Sequence, residues 1–255
     1  MYTALRVGYP DRALVLGAFQ RSSDAPAATR RRPSGGGVVS VGPGTLWLQL
    51  ELTLEGLPAE KLVNRHVRPL LKALTKVASQ PASYFGRDWI SLAHHPVGFV
   101  GFAHDASRGE GVLEAVIAVD EPFVPAPRAS FLGKEPRLLG VARDDVFEAV
   151  TSAYGLEASG PPKSSAVVEE PPWSATLEEA IGTIAAGRDA QGRMRVGGEF
   201  MASRDAVAKL EAALASEDVD LERAIDDAFT TGGVAVFGVR SLASLRDVIL
   251  AARAR

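Results

Sequence analysis

The sequence contains no cysteine, only four histidines and no large excess of charge of either sign. Without cysteine the chain cannot form disulfides, a thiolate nucleophile or a cysteine-ligated zinc site. The histidines do not follow HExxH or a similar metal-binding spacing, so no metal site is predicted. A formal net charge of −3 argues against nucleic acid as a partner, although Arg21 and Arg30 to Arg32 form one local basic cluster.

Long apolar runs are also missing. No stretch approaches the roughly 18–20 apolar residues that a membrane helix needs, so no membrane partner is predicted. The first residues lack the basic start and apolar run of a signal peptide, and we therefore expect a soluble, cytoplasmic protein. With 46% hydrophobic and 23% charged residues, the 255-residue chain has room for one large domain, or for a medium and a small one.

Prolines and serines concentrate in residues 159–172, SGPPKSSAVVEEPP, which is the composition of a linker. We place a domain boundary there, between a first domain over residues 1–158 and a small accessory domain over residues 173–255. Apolar alternation predicts strands within 3–20, 38–52 and 86–120. A helical period predicts a helix over 59–78, which Pro69 should kink or delay.

Capping residues set further helix ends. Asp144 is predicted to cap a helix that Gly155 ends. In the accessory domain, Thr176 and Glu179 match a capping box and predict a helix start. A hairpin around Gly192, helices from about Ser203, Asp218 and Ser241, and a strand over 234–239 complete the expectation.

A glycine-rich loop is the most informative segment. Gly35, Gly36 and Gly37 follow Arg31-Arg32-Pro33-Ser34 and precede an apolar strand. Consecutive glycines let a backbone approach a ligand and offer N–H groups to phosphate or carboxylate oxygens. The loop matches neither the GK[ST] of a P-loop nor the G-x-G-x-x-G dinucleotide fingerprint. The segment is therefore either an anion or nucleotide site or a flexible surface loop.

The order of several motifs resembles the biotin/lipoate protein ligase family, closest to lipoate–protein ligase A with its accessory domain. The matching segments are RR-x-S-GGG at 31–37, the G-x-x-Q turn at 17–20, Gly86-Arg87-Asp88, and Gly198-Glu199-Phe200. The resemblance implies an α/β (α+β) fold, with a mixed sheet flanked by helices and a small α+β accessory domain.

The same resemblance implies a ligand site and its ligands. Such ligases activate lipoate or octanoate with ATP and Mg and transfer the acyl group to a lipoyl or other acyl-carrier domain, with no covalently bound cofactor. Asp88 is either a ligand-site carboxylate or a polar residue at a strand start. The residues that the resemblance places at the ligand site are Gly17, Gln20, Arg31, Arg32, Ser34, Gly35, Gly36, Gly37, Asp88, Gly98 and Gly101.

The chain departs from the family at the catalytic lysine. The family pattern K-[IV]-x-G corresponds here to Gly98-Phe99-Val100-Gly101, so Gly98 stands at the lysine position. Loss of such a preorganised charge costs about 10²–10³-fold in rate. The family's H-D-x-G-N segment is also replaced, by Val41-Gly42-Pro43-Gly44-Thr45.

Three hypotheses follow. The first is a ligase-like protein with impaired catalysis that binds an acyl or adenylate ligand or a carrier domain. The second is an active lipoate, octanoate or biotin ligase, or an acyltransferase, with rearranged catalytic residues. Lys134 is a weak candidate for the missing cation, and His94, His95 and His104 are expected at the surface or in a hairpin. The third is a structural interaction module.

Overall fold

The computed structural model describes residues 2–54, 59–125, 128–179, 181–230, 234 and 236–255, without the side chains of 59, 60 and 129. The strands are β1 (Tyr2–Gly8), β2 (Ala13–Leu16), β3 (Arg30–Arg31), β4 (Val39–Val41), β5 (Thr45–Thr53), β6 (Ala82–Tyr84), β7 (Trp89–Leu92), β8 (His95–Asp105), β9 (Glu110–Ala118), β10 (Ser165–Ala166), β11 (Ala175–Glu178), β12 (Thr183–Arg188), β13 (Met194–Gly198), β14 (Met201–Ala202) and β15 (Val236–Phe237). The α-helices are α1 (Ala59–Ala78), α2 (Arg143–Tyr154), α3 (Arg204–Ala213), α4 (Leu221–Phe229) and α5 (Leu242–Arg253). Within these described ranges no helix combines the length and the apolar character needed to cross a bilayer.

The main sheet has six antiparallel strands in the order β1-β5-β9-β8-β7-β6. Since side chains alternate along a strand, the sheet has two distinct faces. On the first, here called the helix face, Leu46, Leu48 and Leu50 pack against α1 and α2 in the main core. The second, here called the loop face, carries Trp47 and Gln49 and meets the glycine-rich loop.

Helix α1 follows the predicted period. Leu62, Val67, Leu70 and Leu74 are buried against the helix face. The helix begins at Ala59 and continues through Pro69, so proline does not delay its start as expected. Burial of the apolar side along 20 residues offsets the hydrogen bond that the proline nitrogen cannot donate.

A second sheet, in the order β10-β3-β2-β4, positions the glycine-rich loop. In this sheet β2 and β3 run parallel, with Leu16 opposite Arg31, and the other strand pairs are antiparallel. The sheet is therefore mixed. β3 leads directly into the loop, so the loop starts from a strand that is hydrogen-bonded on both sides. The segment between β2 and the glycine-rich loop therefore contains a strand.

The predicted linker is anchored to the first domain. Ser165 and Ala166 pair with β3. The side-chain amide of Gln49 donates to the Lys163 carbonyl at 3.1 Å and accepts from the Lys163 amide at 3.1 Å. These bonds hold the segment across the loop face. The boundary at 159–172 itself stays a prediction.

The accessory region contains the small sheet β11-β12-β13, the pair β14-β15 and helices α3 to α5 around its own apolar cluster. The helix predicted from Thr176 is wrong, because residues 175–178 form β11 and pair with β12. Gly182, with φ of 153°, would end such a helix within two turns, and so short a helix is marginal. Strand pairing therefore prevails over the capping pattern.

Two helix starts show how far capping signals hold. Asp144 lies in the first turn of α2 and is not its cap, which is Ala142; an acidic first-turn residue still favours the helix dipole. Gly155 ends α2 in the left-handed conformation, as predicted. Ser241 caps α5 by accepting from the Ala243 amide at 3.1 Å.

Candidate functional site

The glycine-rich loop is buried between the G-x-x-Q turn, β8 and the segment at Phe200. Residues Ser34 to Gly37 are all buried, so the alternative of a flexible surface loop is wrong. A side chain at Gly17 would overlap the Gly36 carbonyl oxygen, and one at Gly101 would lie 2.5 Å from Ser34 Oγ. The structure therefore brings the G-x-x-Q turn, the loop and β8 into direct contact. Gln20, 2% exposed, fixes the turn by accepting the Gly17 N–H at 2.8 Å.

The loop amides already have protein acceptors. Ser34 N–H donates to Glu114 Oε2 at 2.9 Å, Gly35 N–H to the Phe102 carbonyl at 3.1 Å and Gly36 N–H to the Phe200 carbonyl at 3.0 Å. In this conformation these three amides do not present free donors to a phosphate. Whether the predicted site residues bind a ligand stays a prediction.

Arg32 is a buried structural cation, 1% exposed. Its guanidinium donates to Ser34 Oγ and to the carbonyls of Val15, Gly35 and Gly37, at 2.7 to 3.1 Å. These bonds occupy at least four of the five N–H groups of arginine. Burial lowers the pKa of Arg32 to about 9, opposed mainly by the nearby charge of Glu114.

Glu114 is the carboxylate next to Ser34 and Arg32, and it is fully buried on the loop face. Besides the Ser34 amide, it accepts from Trp47 Nε1 and Gln49 Nε2, both at 3.0 Å. Desolvation raises its pKa, opposed mainly by Arg32. Sequence reasoning missed it, although a glutamate inside the apolar run VLEAVIA was a usable signal, since a buried carboxylate requires partners.

Gly98, where the sequence resemblance predicts the family lysine, lies on the opposite face of β8. Gly98 pairs with Ile117, and a side chain at Gly98 would lie 2.5 Å from Ile117 Cδ1, in the core on the helix face. Its neighbour Phe99 points to the loop face, and its ring would lie 2.8 Å from a side chain at Gly36. Position 98 is therefore not brought together with the glycine-rich loop, whereas Phe99 and Gly101 are.

A second charged cluster adjoins the last glycine of the loop. Arg128 Nη1 donates to Asp88 Oδ2 at 2.9 Å, and a side chain at Gly37 would meet both Arg128 Nη1 at 2.7 Å and Glu199 Oε1 at 2.5 Å. Within the described residues, Asp88 Oδ1 and Arg128 Nη2 are buried without a hydrogen-bond partner. Asp88 is thus a buried, paired carboxylate near the loop. Arg128 was missed because its position in a proline-rich loop gives no sequence signal.

An open cleft of about 720 Å³ lies on the loop face beside Arg32 and Pro33. Arg31, also lining it, forms an ion pair with Glu170, and Lys163 pairs with Glu51 at 3.5 Å. Arg204, at the start of α3, is exposed and has no ion pair within the described part of the chain. The cleft is lined by Thr3, Ala18, Arg31, Arg32, Pro33, Gln49, Glu51, Leu52, Thr53, Asp105, Arg108, Glu110, Gly111, Val112, Lys163, Ser164, Ser165 and Arg204.

The other candidate side chains lie apart from the loop contacts. Lys134 Nζ lies 5.7 Å from the centre of the Trp89 ring. His94 and His95 lie at the β7–β8 hairpin, as expected, but His104 is fully buried, contrary to expectation, because β14 and α3 pack on β8 there. Across the described residues, no three or more His, Asp or Glu side chains are grouped to hold a metal ion.

Comparison with known proteins identifies the fold. The sequence matches no protein-family model and no curated protein. Among solved structures, P. falciparum LipL1 in complex with lipoate aligns with a TM-score of 0.60 at 11% identity, over 96% of this chain and 86% of that one. The bi-partite lipoate protein ligase of Thermoplasma acidophilum, studied with its E2 lipoyl domain, aligns with a TM-score of 0.48 at 15% identity, over 62% and 74%. The biotin protein ligase of Aquifex aeolicus aligns over 45% and 52% of the two chains, with a TM-score of 0.34 at 17% identity.

The chain therefore shares the fold of LipL1, a protein solved with lipoate, and the predicted α+β class is confirmed. At this level of identity the likeness establishes the fold alone.

Proposed function

We propose that this protein binds an amphipathic carboxylate of the lipoate or octanoate class and does not activate it by the chemistry of the ligases. The proposal rests on the identity of residue 99, whose side chain lies on the loop face beside the glycine-rich loop. Next to Gly36 stands the uncharged ring of Phe99, which cannot stabilise developing negative charge as an ammonium group would. The loop amides donate to protein oxygens, which leaves the neighbouring cleft as the accessible site.

The cleft suits such a ligand in size and chemistry. Its volume of about 720 Å³ lies within the usual range for small-molecule sites. Ala18, Pro33 and Val112 supply apolar wall, and Arg204 supplies an exposed guanidinium for a carboxylate. The fold-level match to a protein solved with lipoate supports this ligand class. A lipoyl or other acyl-carrier domain is the protein partner we propose, on the sequence resemblance alone.

Ligand-dependent thermal stabilisation tests the proposal. A ligand that binds only the folded state raises its stability by RT ln(1 + [L]/Kd). Octanoate and lipoate should raise the Tm of the wild-type protein and of Arg68→Ala, which removes an exposed arginine of α1 on the other side of the sheet. Arg204→Ala should reduce the shift. Pyrophosphate release with MgATP and either acid should stay at background.

Two results would overturn the proposal. Multiple turnovers of pyrophosphate release would show a working ligase. The absence of any Tm shift with either acid, in the presence or absence of MgATP, would favour the structural interaction module.

One observation favours the working ligase as a second candidate. Arg128 reaches Gly37, and its guanidinium lies 5.9 Å from the centre of the Phe99 ring with Nη2 unpartnered within the described residues. A guanidinium there would supply the missing positive charge from a different part of the chain. If pyrophosphate release is found, Arg128→Gln should abolish it, whereas Arg68→Gln should leave it unchanged.

A further inference from the structure

The glycine-rich loop already holds a carboxylate, and the chain supplies it. Both oxygens of Glu114 are used: Oε2 accepts from the Ser34 amide, and Oε1 accepts from Trp47 and Gln49. Its cross-strand neighbour Gly101 has no side chain, which makes room for Ser34 to reach the carboxylate. The anion next to the Ser34 end of the loop is therefore part of the protein.

Glu114 also balances the charge of the loop. Arg32 is the fully buried cation beside it, and at least four of its N–H groups are engaged with Ser34 and backbone carbonyls. A second anion brought near the Arg32 guanidinium would be repelled by the charge of Glu114. In a poorly solvated site this repulsion is stronger than in water.

The side chains of Arg32 and Gln49, here called the floor of the cleft, are both hydrogen-bonded within the protein. Arg32 and Gln49 line the cleft, and Glu114 hydrogen-bonds Gln49 from within the sheet. The Gln49 amide is also occupied on its other side by the Lys163 backbone. At the outer end, Arg204 is exposed. The floor therefore suits an apolar chain, and the outer end suits a negative head group.

We propose that Glu114 determines the specificity of the cleft, by acting as a built-in anion that directs the carboxylate of a bound ligand outward, towards Arg204. The inference rests on the proposed function, since it concerns the orientation of a ligand in the same cleft. It predicts that removing the Glu114 charge creates a second place for a carboxylate, beside Arg32.

Octanoate titrations of matched variants test this. Glu114→Gln keeps the size of the side chain and removes its charge. It should bind octanoate about tenfold more tightly than the wild type, which corresponds to the loss of one unfavourable charge contact. Glu148→Gln removes an exposed carboxylate of α2, on the other side of the sheet, and should change the affinity less than twofold.

The double variant Arg204→Ala/Glu114→Gln separates the two positions for the carboxylate. It should retain octanoate binding that Arg204→Ala alone loses. If folded Glu114→Gln binds octanoate no better than the wild type, or if its gain disappears with Arg204→Ala, the inference is wrong. If the wild type fails to bind but Glu114→Gln binds, the proposed function fails and the role of Glu114 as a built-in anion stands.

A variant that does not fold is also informative. Should Glu114→Gln be unfolded by circular dichroism, Arg32→Met/Glu114→Gln is compared with it. Recovery of folding shows that Glu114 is needed to balance the Arg32 charge, as the inference requires. No recovery shows that the carboxylate is needed only as a hydrogen-bond acceptor, and the inference is then overturned.

Discussion

Gly17 is in direct contact with Gly36 and has no room for a side chain on the side that faces Gly36. A Cβ at Gly17 would overlap the Gly36 carbonyl oxygen and would lie 3.2 Å from Arg32 Nη2. Gln20 fixes the position of Gly17, so the contact cannot be relieved by a small local shift. This backbone approach joins the G-x-x-Q turn to the glycine-rich loop and holds both beside β8.

Gly17→Ala should therefore destabilise the protein. Overpacking at a closed contact costs about 1–3 kcal/mol, which for a chain of this size lowers Tm by roughly 3–10 °C. Gly8→Ala is the matched control, because a side chain there would meet its nearest atoms at 3.9 Å. Thermal unfolding followed by circular dichroism measures both, and equal Tm values for the two variants would contradict the contact.

Arg21 should hold the accessory region against the first domain. Its guanidinium donates to the carbonyls of Pro171, Pro172, Gly187 and Arg188 and lies 3.8 Å from the Trp173 ring centre. Since Arg21 is 3% exposed, Arg21→Ala leaves buried carbonyls without donors, at a cost of about 2–4 kcal/mol.

Limited trypsin digestion checks the consequence for the predicted linker. Cleavage after Lys163 should be faster in Arg21→Ala than in the wild type. Arg223→Ala removes an ion pair whose arginine side chain is 79% exposed, and it should digest like the wild type. Unchanged cleavage in Arg21→Ala would mean that other contacts hold the two parts together.

His66 should make stability depend on pH. It is 4% exposed, packs edge-on against Tyr2, and neither ring nitrogen has a hydrogen-bond partner among the described residues. Burial, with a smaller contribution from Arg65, lowers the pKa of His66 to about 4 from its ordinary value of 6.5. The unfolded chain therefore takes up a proton at a higher pH than the folded protein. Stability from this group is present above pH 6.5 and is lost as the pH falls towards 4.

Urea unfolding between pH 4 and pH 7 measures this dependence. His66→Leu should reduce the loss of stability on acidification by up to about 2 kcal/mol. His95→Gln, at the hairpin, should retain the wild-type dependence. An identical pH profile for His66→Leu and the wild type would rule out His66 as the cause.

A lysine placed at position 98, which the family pattern selects, should destabilise the protein and confer no ligase activity. In Gly98→Lys the side chain would meet Ile117 Cδ1 at 2.5 Å and the Val116 carbonyl at 2.9 Å, inside the core on the helix face. Burial of an unpaired ammonium there should cost more than about 3 kcal/mol. Thr176→Lys, at an exposed position of β11, should be tolerated. A Gly98→Lys protein with wild-type Tm and new pyrophosphate release would show that position 98 faces the ligand after all.

Local patterns in the sequence determined much of the scaffold. The alternation of Leu46, Leu48 and Leu50 specifies a strand with one apolar face, and the period of α1 specifies a helix that covers it. The glycines at 35–37 predict a close backbone approach to a ligand, and the structure places them close to protein atoms of Phe200, Phe99 and Glu199. Residues 175–178 were predicted wrongly, because a capping pattern records a local preference and pairing with β12 is a longer-range interaction.

The candidate site was decided by tertiary structure. The motif at 98–101 identifies a position on β8 but does not tell to which face of the sheet its side chain points. The register of β8 with β9 directs position 98 to the helix face and Phe99 to the loop face. The sequence marks the glycine-rich loop as an anion site, yet only the pairing of β9 with β8 brings Glu114 under Ser34 and makes that anion internal. Local sequence determines which groups can bind a charge, whereas packing between distant segments determines which charged partner lies next to them.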